Sequence, residues 1–280
     1  MENILISTAL ISYNQQQFVG GTLTGILSQK LTASHEVICG DDASIDKTRS
    51  IIEGHISDER VRVLETKSNL GMHGNWARTI EACNGKYIAI CEGDDVWIDP
   101  QKLQKQIDLL EKNPVASACF SNANIIDNDG NVGEYLYVDK PYSIIEASDF
   151  FELNFNPIPT CTVVFRKAAF NGFPKEYYDS PFADWILHTL LIQTGPFIYL
   201  PDVTSSYRQH SGGVWSGINE EKQLSNKLKA VTIIKSLVSE AYFSNVVVAH
   251  KTQLDKLLYF YREQKNWGRY LSTWIKLKTL

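Results

Sequence analysis

Glu92-Gly93-Asp94-Asp95 follows directly on the apolar run Tyr87 to Cys91, so a strand of buried character runs straight into a cluster of carboxylates. A carboxylate placed there is costly unless something positive meets it, and a hard divalent cation with oxygen ligands is the obvious partner. A second acidic pair, Asp41-Asp42, closes the shorter run Glu36 to Cys39. The plainer account makes both clusters polar turns. It covers Asp99, which with Pro100 reads as N-cap and first helical residue before a buried stripe of Leu103, Ile107 and Leu110. Ser44 or Asp46 likewise reads as the cap of the helix that continues through Ile51, Ile52 and His55. Asp41, Asp42, Asp94 and Asp95 are left without a duty. Further along, Asp184 opens an amphipathic helix as a cap or a first-turn acid favoured by the helix dipole. The stretch Tyr207 to Ser216 carries Arg208, His210, Gly212 and Gly213, and its glycines suggest a mobile loop of the kind that closes over phosphates.

The elements that must hold these residues follow from periodicity. Ile4 to Ser12 reads as a strand ending in Tyr13-Asn14, and Phe18, Thr22, Leu23 and Ile26 recur at helical spacing. Gly20, Gly21 and Gly25 fall within that helix and do not fit Gly-x-Gly-x-x-Gly, so a dinucleotide fingerprint is missing and a dehydrogenase is disfavoured. Val61 to Leu64 is a third strand. The helix after Asn69-Leu70-Gly71 runs through Trp76, Ile80 and Cys83, presents Asn75 and Arg78 on its exposed side, and ends at Asn84-Gly85, a residue tolerant of positive φ. Four strands alternating with three helices predict a doubly wound α/β half with a mostly parallel sheet, and ligands of such sheets gather at the strands' carboxyl ends. Val115 to Ser121, Cys161 to Phe165 and Phe197 to Leu200 read as further strands, with Asp127 to Asn131 a turn. Tyr135, Tyr137, Tyr142, Phe150, Phe151 and Phe155 either line an acceptor pocket or simply pack.

Taken together, Val37 to Thr48, Asn69-Leu70-Gly71, Gly85-Lys86-Tyr87-Ile88 and Glu92-Gly93-Asp94-Asp95 resemble the successive signatures of the inverting GT-A glycosyltransferases of the large bacterial family two. The resemblance covers residues 3–112 and, less closely, 157–216. It implies a GT-A catalytic domain over 1–218, with a nucleotide-binding half (1–112) and an acceptor-binding half (113–218), and a helical appendage over 219–280. By the same resemblance, Tyr13, Asn14, Asp41, Asp42, Asn69, Arg78, Glu92 and Asp94 contact the nucleotide of a sugar donor, UDP-linked by resemblance alone. Asp94, Asp95 and His210 then hold Mn or Mg, Arg208 and His210 meet the diphosphate, and Asp184 is the general base. Glu92 stands where many relatives carry the first Asp of Asp-x-Asp, which makes Asp94 the first choice for metal. The chemistry asks for such parts, since a sugar hydroxyl is a weak nucleophile until a carboxylate takes its proton, and a departing diphosphate needs a Lewis acid.

Composition narrows the class. The chain has 280 residues, 44% hydrophobic and 21% charged, which suits one large domain with an appendage. Five cysteines without a Cys-x-x-Cys read as buried reduced thiols, and no stretch approaches a membrane span. Met1-Glu2-Asn3 is not a basic signal-peptide start, so a cytoplasmic chain is expected. Net charge is -5 overall, yet residues 221–280 hold 11 Lys/Arg against 4 Asp/Glu, leaving an acidic body that disfavours nucleic acid. On a helix from Asn266, Trp267, Tyr270, Leu271 and Trp274 share a face opposite Lys265, Arg269 and Lys276. That face either rests on the inner side of the membrane, as a lipid-linked or glycan acceptor would allow, or packs on the catalytic domain or a second copy. The alternatives to a transferase are a sugar-phosphate nucleotidyltransferase, for which Tyr13 to Gln17 is neither glycine-rich nor basic, and a non-catalytic nucleotide-sugar-binding scaffold, which would not need Asp184.

Overall fold

The computed structural model describes residues 6–135, 143–152, 156–213, 215 and 217–279. It begins with strict alternation: β1 (Ile6–Ser12), α1 (Val19–Leu27), β2 (His35–Asp41), α2 (Thr48–Glu53), β3 (Val61–Val63), α3 (Gly71–Glu81) and β4 (Tyr87–Glu92). β1 is buried along its whole length, as an unbroken apolar strand covered on both faces should be. The order β3-β2-β1-β4 is parallel throughout, which is the expected doubly wound half. All three glycines of the missing fingerprint lie inside α1.

The remaining elements are β5 (Val96–Trp97), α4 (Lys102–Lys112), β6 (Ala118–Ile126), β7 (Val132–Tyr135), β8 (Ser143–Ile145), α5 (Ala147–Glu152), β9 (Val164–Arg166), α6 (Ala183–Ile192), β10 (Phe197–Arg208), α7 (Glu220–Leu237), α8 (Phe243–Glu263) and α9 (Trp267–Lys278). The sheet continues β4-β9-β6-β10-β5, with β9 antiparallel to both neighbours and β6 parallel to β10. Several boundaries differ from the sequence reading. β6 and β10 run well past the apolar stretches that announced them, because Ser121 and Thr204 hydrogen-bond across the ladder at 2.5 Å and bury polar side chains inside the sheet. Tyr207 and Arg208 therefore belong to β10 and not to a mobile loop. Thr160–Thr162 is a 3-10 turn ahead of β9, where a longer strand was expected. Asp99 accepts the Gln101 N–H and pairs with Lys105, so it caps the turn before α4, whose first residue is Lys102. Gly85 has no positive φ. A Cβ there would lie 2.5 Å from the Ser7 backbone nitrogen, so close approach to β1 is what requires glycine. Asn75, expected on the exposed side of α3, is buried.

The chain divides into two compact units, one of residues 1–145, 158–173 and 194–209, the other of 146–157, 174–193 and 210–280. This differs from a boundary at residue 218, because α5 and α6 make their contacts with the C-terminal helices. In the second unit α8 buries Val246, Ala249, Leu254 and Leu257 and packs against α5, α7 and α9. Phe150 and Phe151 are buried at an edge-on 5.5 Å, with Phe151 5.3 Å from Tyr242, so these aromatics pack. Tyr137, Tyr142, Phe155, Val214, Ser216 and the side chain of Tyr135 lie outside the described residues, as does the start of the first strand at Ile4. All five cysteines are free and buried, and all belong to the first unit. No described helix is long and apolar enough to cross a membrane.

Candidate active site

The register of the parallel strands brings the acidic groups to one edge. Ser12 at the end of β1 lies opposite Asp41 of β2, and Ile11 lies opposite Glu92 of β4. The loop leaving β1 is laced to the loop leaving β2. The Asn14 N–H donates to Ser44 Oγ at 2.9 Å, while Asn14 Oδ1 accepts the Ile45 N–H at 2.9 Å. Gln15 and Gln16 donate their N–H groups to Thr48 Oγ1 and Asp46 Oδ2, and Asp46 also accepts the Thr48 N–H, although the N-cap of α2 is Lys47 and neither Ser44 nor Asp46. Asn14 and Ala43 adopt positive φ, 53° and 58°, at the two turns where the chain leaves the sheet. Tyr13 stands exposed beside them.

Asp41 and Asp42 are both buried, and both have structural work that the sequence did not disclose. Asp41 accepts the Ser44 hydroxyl at 2.5 Å and the Ser44 N–H at 3.2 Å. Asp42 Oδ1 accepts the Leu70 N–H at 2.8 Å, and the Asp42 carbonyl accepts from Asn69 Nδ2 at 2.9 Å. Asn69 Oδ1 in turn accepts the Gly71 N–H, so this asparagine ties the start of α3 to the end of β2. Arg78 reaches the same place from α3. Its guanidinium donates to the Asp41 carbonyl at 2.7 Å, to the Glu65 carbonyl and to Asn75 Oδ1. Burial lowers the Arg78 pKa, opposed by Asp42 and Asp41, which hold a positive charge behind the acidic pair. Asn75, which the sequence reading put on the surface, also donates to the Gly40 carbonyl at 2.8 Å.

The acidic turn after β4 is held as firmly. Gly93 is pressed between Ser12 and Gln15, where an added Cβ would meet Gln15 Oε1 at 2.5 Å, and its carbonyl accepts from Thr22 Oγ1. Glu92 and Asp94 are half-buried, whereas Asp95 turns inward and is 1% exposed. Arg208 at the end of β10 closes the turn. Its N–H donates to Asp95 Oδ1 at 2.9 Å, its Nε to the Asp94 carbonyl at 2.9 Å and its Nη1 to the Asp127 carbonyl at 2.6 Å, with the guanidinium 4.6 Å over the Phe18 ring. Asp95 is pushed well above the usual carboxylate range by burial and then by the Asp94 charge, and its Oδ2 has no oxygen or nitrogen donor.

Among the described residues no three His, Cys, Asp or Glu side chains gather as a cage for a metal. The donor set suits a divalent ion of another kind. Mg-type sites use one or two carboxylates and take the remaining oxygens from substrate phosphates and water. Asp94 and Glu92 are the hard donors accessible for that, and the repulsion between Asp94 and Asp95, which Arg208 opposes, is what such a cation would offset. His210 belongs to the second unit, where its carbonyl accepts the Gly213 N–H.

The second unit also carries Asp184, in the first turn of α6. The N-cap of that helix is Phe182, so Asp184 is not the cap. Its Oδ1 accepts the Trp185 N–H at 2.7 Å and its Oδ2 accepts from Asn156 Nδ2 at 2.6 Å. Asn156 Oδ1 meets His188 Nδ1 at 3.1 Å. Neither Asn156 nor His188 was singled out in the sequence, although His188 stands four residues after Asp184 and therefore on the same side of the helix.

Comparison with known proteins supplies the relatives. A sequence model described as Glycosyl transferase family 2 matches residues 7–172. An uncharacterised protein of Mycobacterium tuberculosis is 32% identical over 213 residues, which are 75% of this chain and 60% of that protein. The chain thus spans less than two thirds of that relative's length. A UDP-Glc:alpha-D-GlcNAc-diphosphoundecaprenol beta-1,3-glucosyltransferase of Escherichia coli is 25% identical over 272 residues, 94% of this chain and 99% of the relative. In fold, the chain is similar to a mannosyltransferase of Pyrobaculum calidifontis solved in complex with GDP-Man and Mn2+, with a TM-score of 0.62 at 15% identity over 98% of this chain and 84% of that one.

Proposed function

Because the chain belongs to glycosyl transferase family 2, an inverting family with the GT-A fold, we propose that it moves a sugar from a nucleotide-diphosphate donor to a hydroxyl of a glycan or lipid-linked acceptor. The observation that carries the reading is the meeting of Asp41, Asp42 and Glu92 to Asp95 at the carboxyl edge of three adjacent parallel strands, the place where α/β sheets take their ligands. Tyr13, exposed beside the loop after β1, receives the base, and Asp41, Asp42, Asn69 and Arg78 shape its cradle. Two of the acids are already spent on Ser44 and Leu70, so their part is to hold a loop geometry as much as to touch ribose.

The donor is UDP-linked and the acceptor carries a lipid diphosphate, a reading supported by what the Escherichia coli relative's name says of that protein. Asp184 is the general base: an ionised carboxylate within reach of the acceptor hydroxyl takes its proton as the oxygen attacks the anomeric carbon. One base suffices for inversion. Asp94 with Glu92 would hold a Mn or Mg ion, with His210 the further ligand that the sequence suggests, and the ion would supply Lewis acidity to the leaving diphosphate. Arg208 keeps the turn that carries those carboxylates in place. The basic segment 219–280 faces anionic lipid, where such an acceptor resides.

A panel of nucleotide-sugars tests this, scored with Mn for hydrolysis and for protection against heat, and repeated in EDTA. UDP-sugars are expected to be hydrolysed and to raise the melting temperature only with metal. A folded chain that binds no nucleotide-sugar with Mn present refutes the reading.

A further inference from the structure

We propose that Asn156 and His188 are positioning residues for Asp184, a one-way hydrogen-bond chain that holds the Asp184 carboxylate ready to accept a proton. This rests on the reading of Asp184 as the base. The direction of the chain follows from what each group can do. An ionised carboxylate only accepts, so Asn156 must turn its Nδ2 toward Asp184 Oδ2, at 2.6 Å, and its Oδ1 toward His188, at 3.1 Å. That assigns the His188 proton to Nδ1, since the amide oxygen needs a donor there. His188 is fully buried and burial pushes its pKa down to about 3, so it stays neutral at any ordinary pH and the chain does not reverse.

The consequences suit a base. A hydrogen bond donated to the charged form of a carboxylate favours that form and is among the stronger hydrogen bonds. With Oδ1 held by the Trp185 N–H and Oδ2 by Asn156, the carboxylate plane is fixed. His188 and Asp184 share a face of α6, so the helix itself sets the spacing that Asn156 bridges. A purely structural tie between the 156–157 segment and α6 would need neither an ionised partner nor a defined direction.

The test reads Asp184 itself. In protein labelled with 13C at the aspartate carboxyl carbons, the Asp184 resonance is the one lost in Asp184→Asn. Its titration midpoint is expected to rise by about one unit in Asn156→Ala and further in Asn156→Asp, which sets a second carboxylate against Oδ2. His188→Asn keeps a donor near Nδ1 and should leave the midpoint in place, whereas His188→Leu should follow Asn156→Ala. With a nucleotide-sugar that the panel shows to be hydrolysed, kcat at neutral pH should fall at least about 10-fold in Asn156→Asp with KM within about twofold. Melting curves separate these effects from unfolding, and where a His188 variant does not fold the two Asn156 variants decide. A midpoint unmoved in both Asn156 variants overturns the proposal. Wild-type turnover in Asp184→Asn instead removes the base reading, whatever the midpoints do.

Discussion

Asp42 shows how a buried acid can serve the ligand and the fold together. Removing its side chain in Asp42→Ala leaves the Leu70 N–H without its acceptor, a loss of about 1–3 kcal/mol. The loop from Asn69 to Gly71 then loses its register against β2. Calorimetry with UDP should show weakened binding in a variant that still melts cooperatively, and unchanged affinity would remove Asp42 from the nucleotide site. Asp184, which ties Asn156 to the start of α6, is expected to behave differently under an isosteric exchange. Asp184→Asn keeps size and most hydrogen bonding, so stability should hold while kcat falls ~10²- to 10⁴-fold. A turnover equal to wild type would return Asp184 to the role of a first-turn acid. The type of these residues was legible because carboxylates at strand ends are conspicuous. Their partners were not: Leu70 and Arg208 reach Asp42 and Asp95 only through contacts far apart in sequence, and Ser44, three residues from Asp41, reads from the sequence as a helix cap.

At the scale of elements, the alternating half was readable because its strands are apolar on both faces and its helices carry single stripes. β6 and β10 were half hidden, because polar residues satisfied across a ladder look from the sequence like the end of a strand. α4 hides something more. Lys102, its first residue, is completely buried, donates to Gln106 Oε1 at 2.7 Å and lies 4.4 Å over the Trp97 ring. Burial lowers its pKa to about 8, so the folded state disfavours the charge that the unfolded chain accepts. The unfolded chain then binds the extra proton between about pH 8 and 10.5, and in that window stability rises with pH from this group. The penalty at neutral pH is about 3 kcal/mol, from ~1.4 kcal/mol per pKa unit. Lys102→Met removes it. In urea unfolding, the stability of Lys102→Met relative to wild type should therefore fall by about that amount between pH 7.5 and pH 10.5. A difference that does not change with pH would mean that folding leaves the lysine's pKa where the unfolded chain has it.

For the molecule as a whole, the C-terminal segment is the part whose surface would meet a lipid. Most of the aromatic face of α9 is exposed, with Tyr270 half-buried. Trp267, Leu271, Trp274 and Ile275 are 61%, 56%, 42% and 50% exposed, and Thr273 is the one buried residue of the helix. With the positive charge of this segment, that face suits an anionic lipid surface, each Lys or Arg adding roughly 1 kcal/mol. Co-sedimentation with anionic vesicles should be strong at low salt, reduced at high salt, and lost when the last sixteen residues are removed. A full-length protein that never pellets would exclude lipid as the occupant of that face. The cysteines offer a consequence of another kind. Burial pushes the Cys39, Cys83 and Cys119 thiols up to about 12 and raises those of Cys91 and Cys161 well above the ordinary thiol value, so in the folded state none presents a thiolate to an alkylating reagent. Because all five reside in the unit that carries the strand-end acids and the second unit has none, the rate of thiol labelling is a built-in clock for the opening of the first unit alone. Nucleotide with Mn should slow that clock, and mass spectrometry of partly labelled chains would read, cysteine by cysteine, which strands open first.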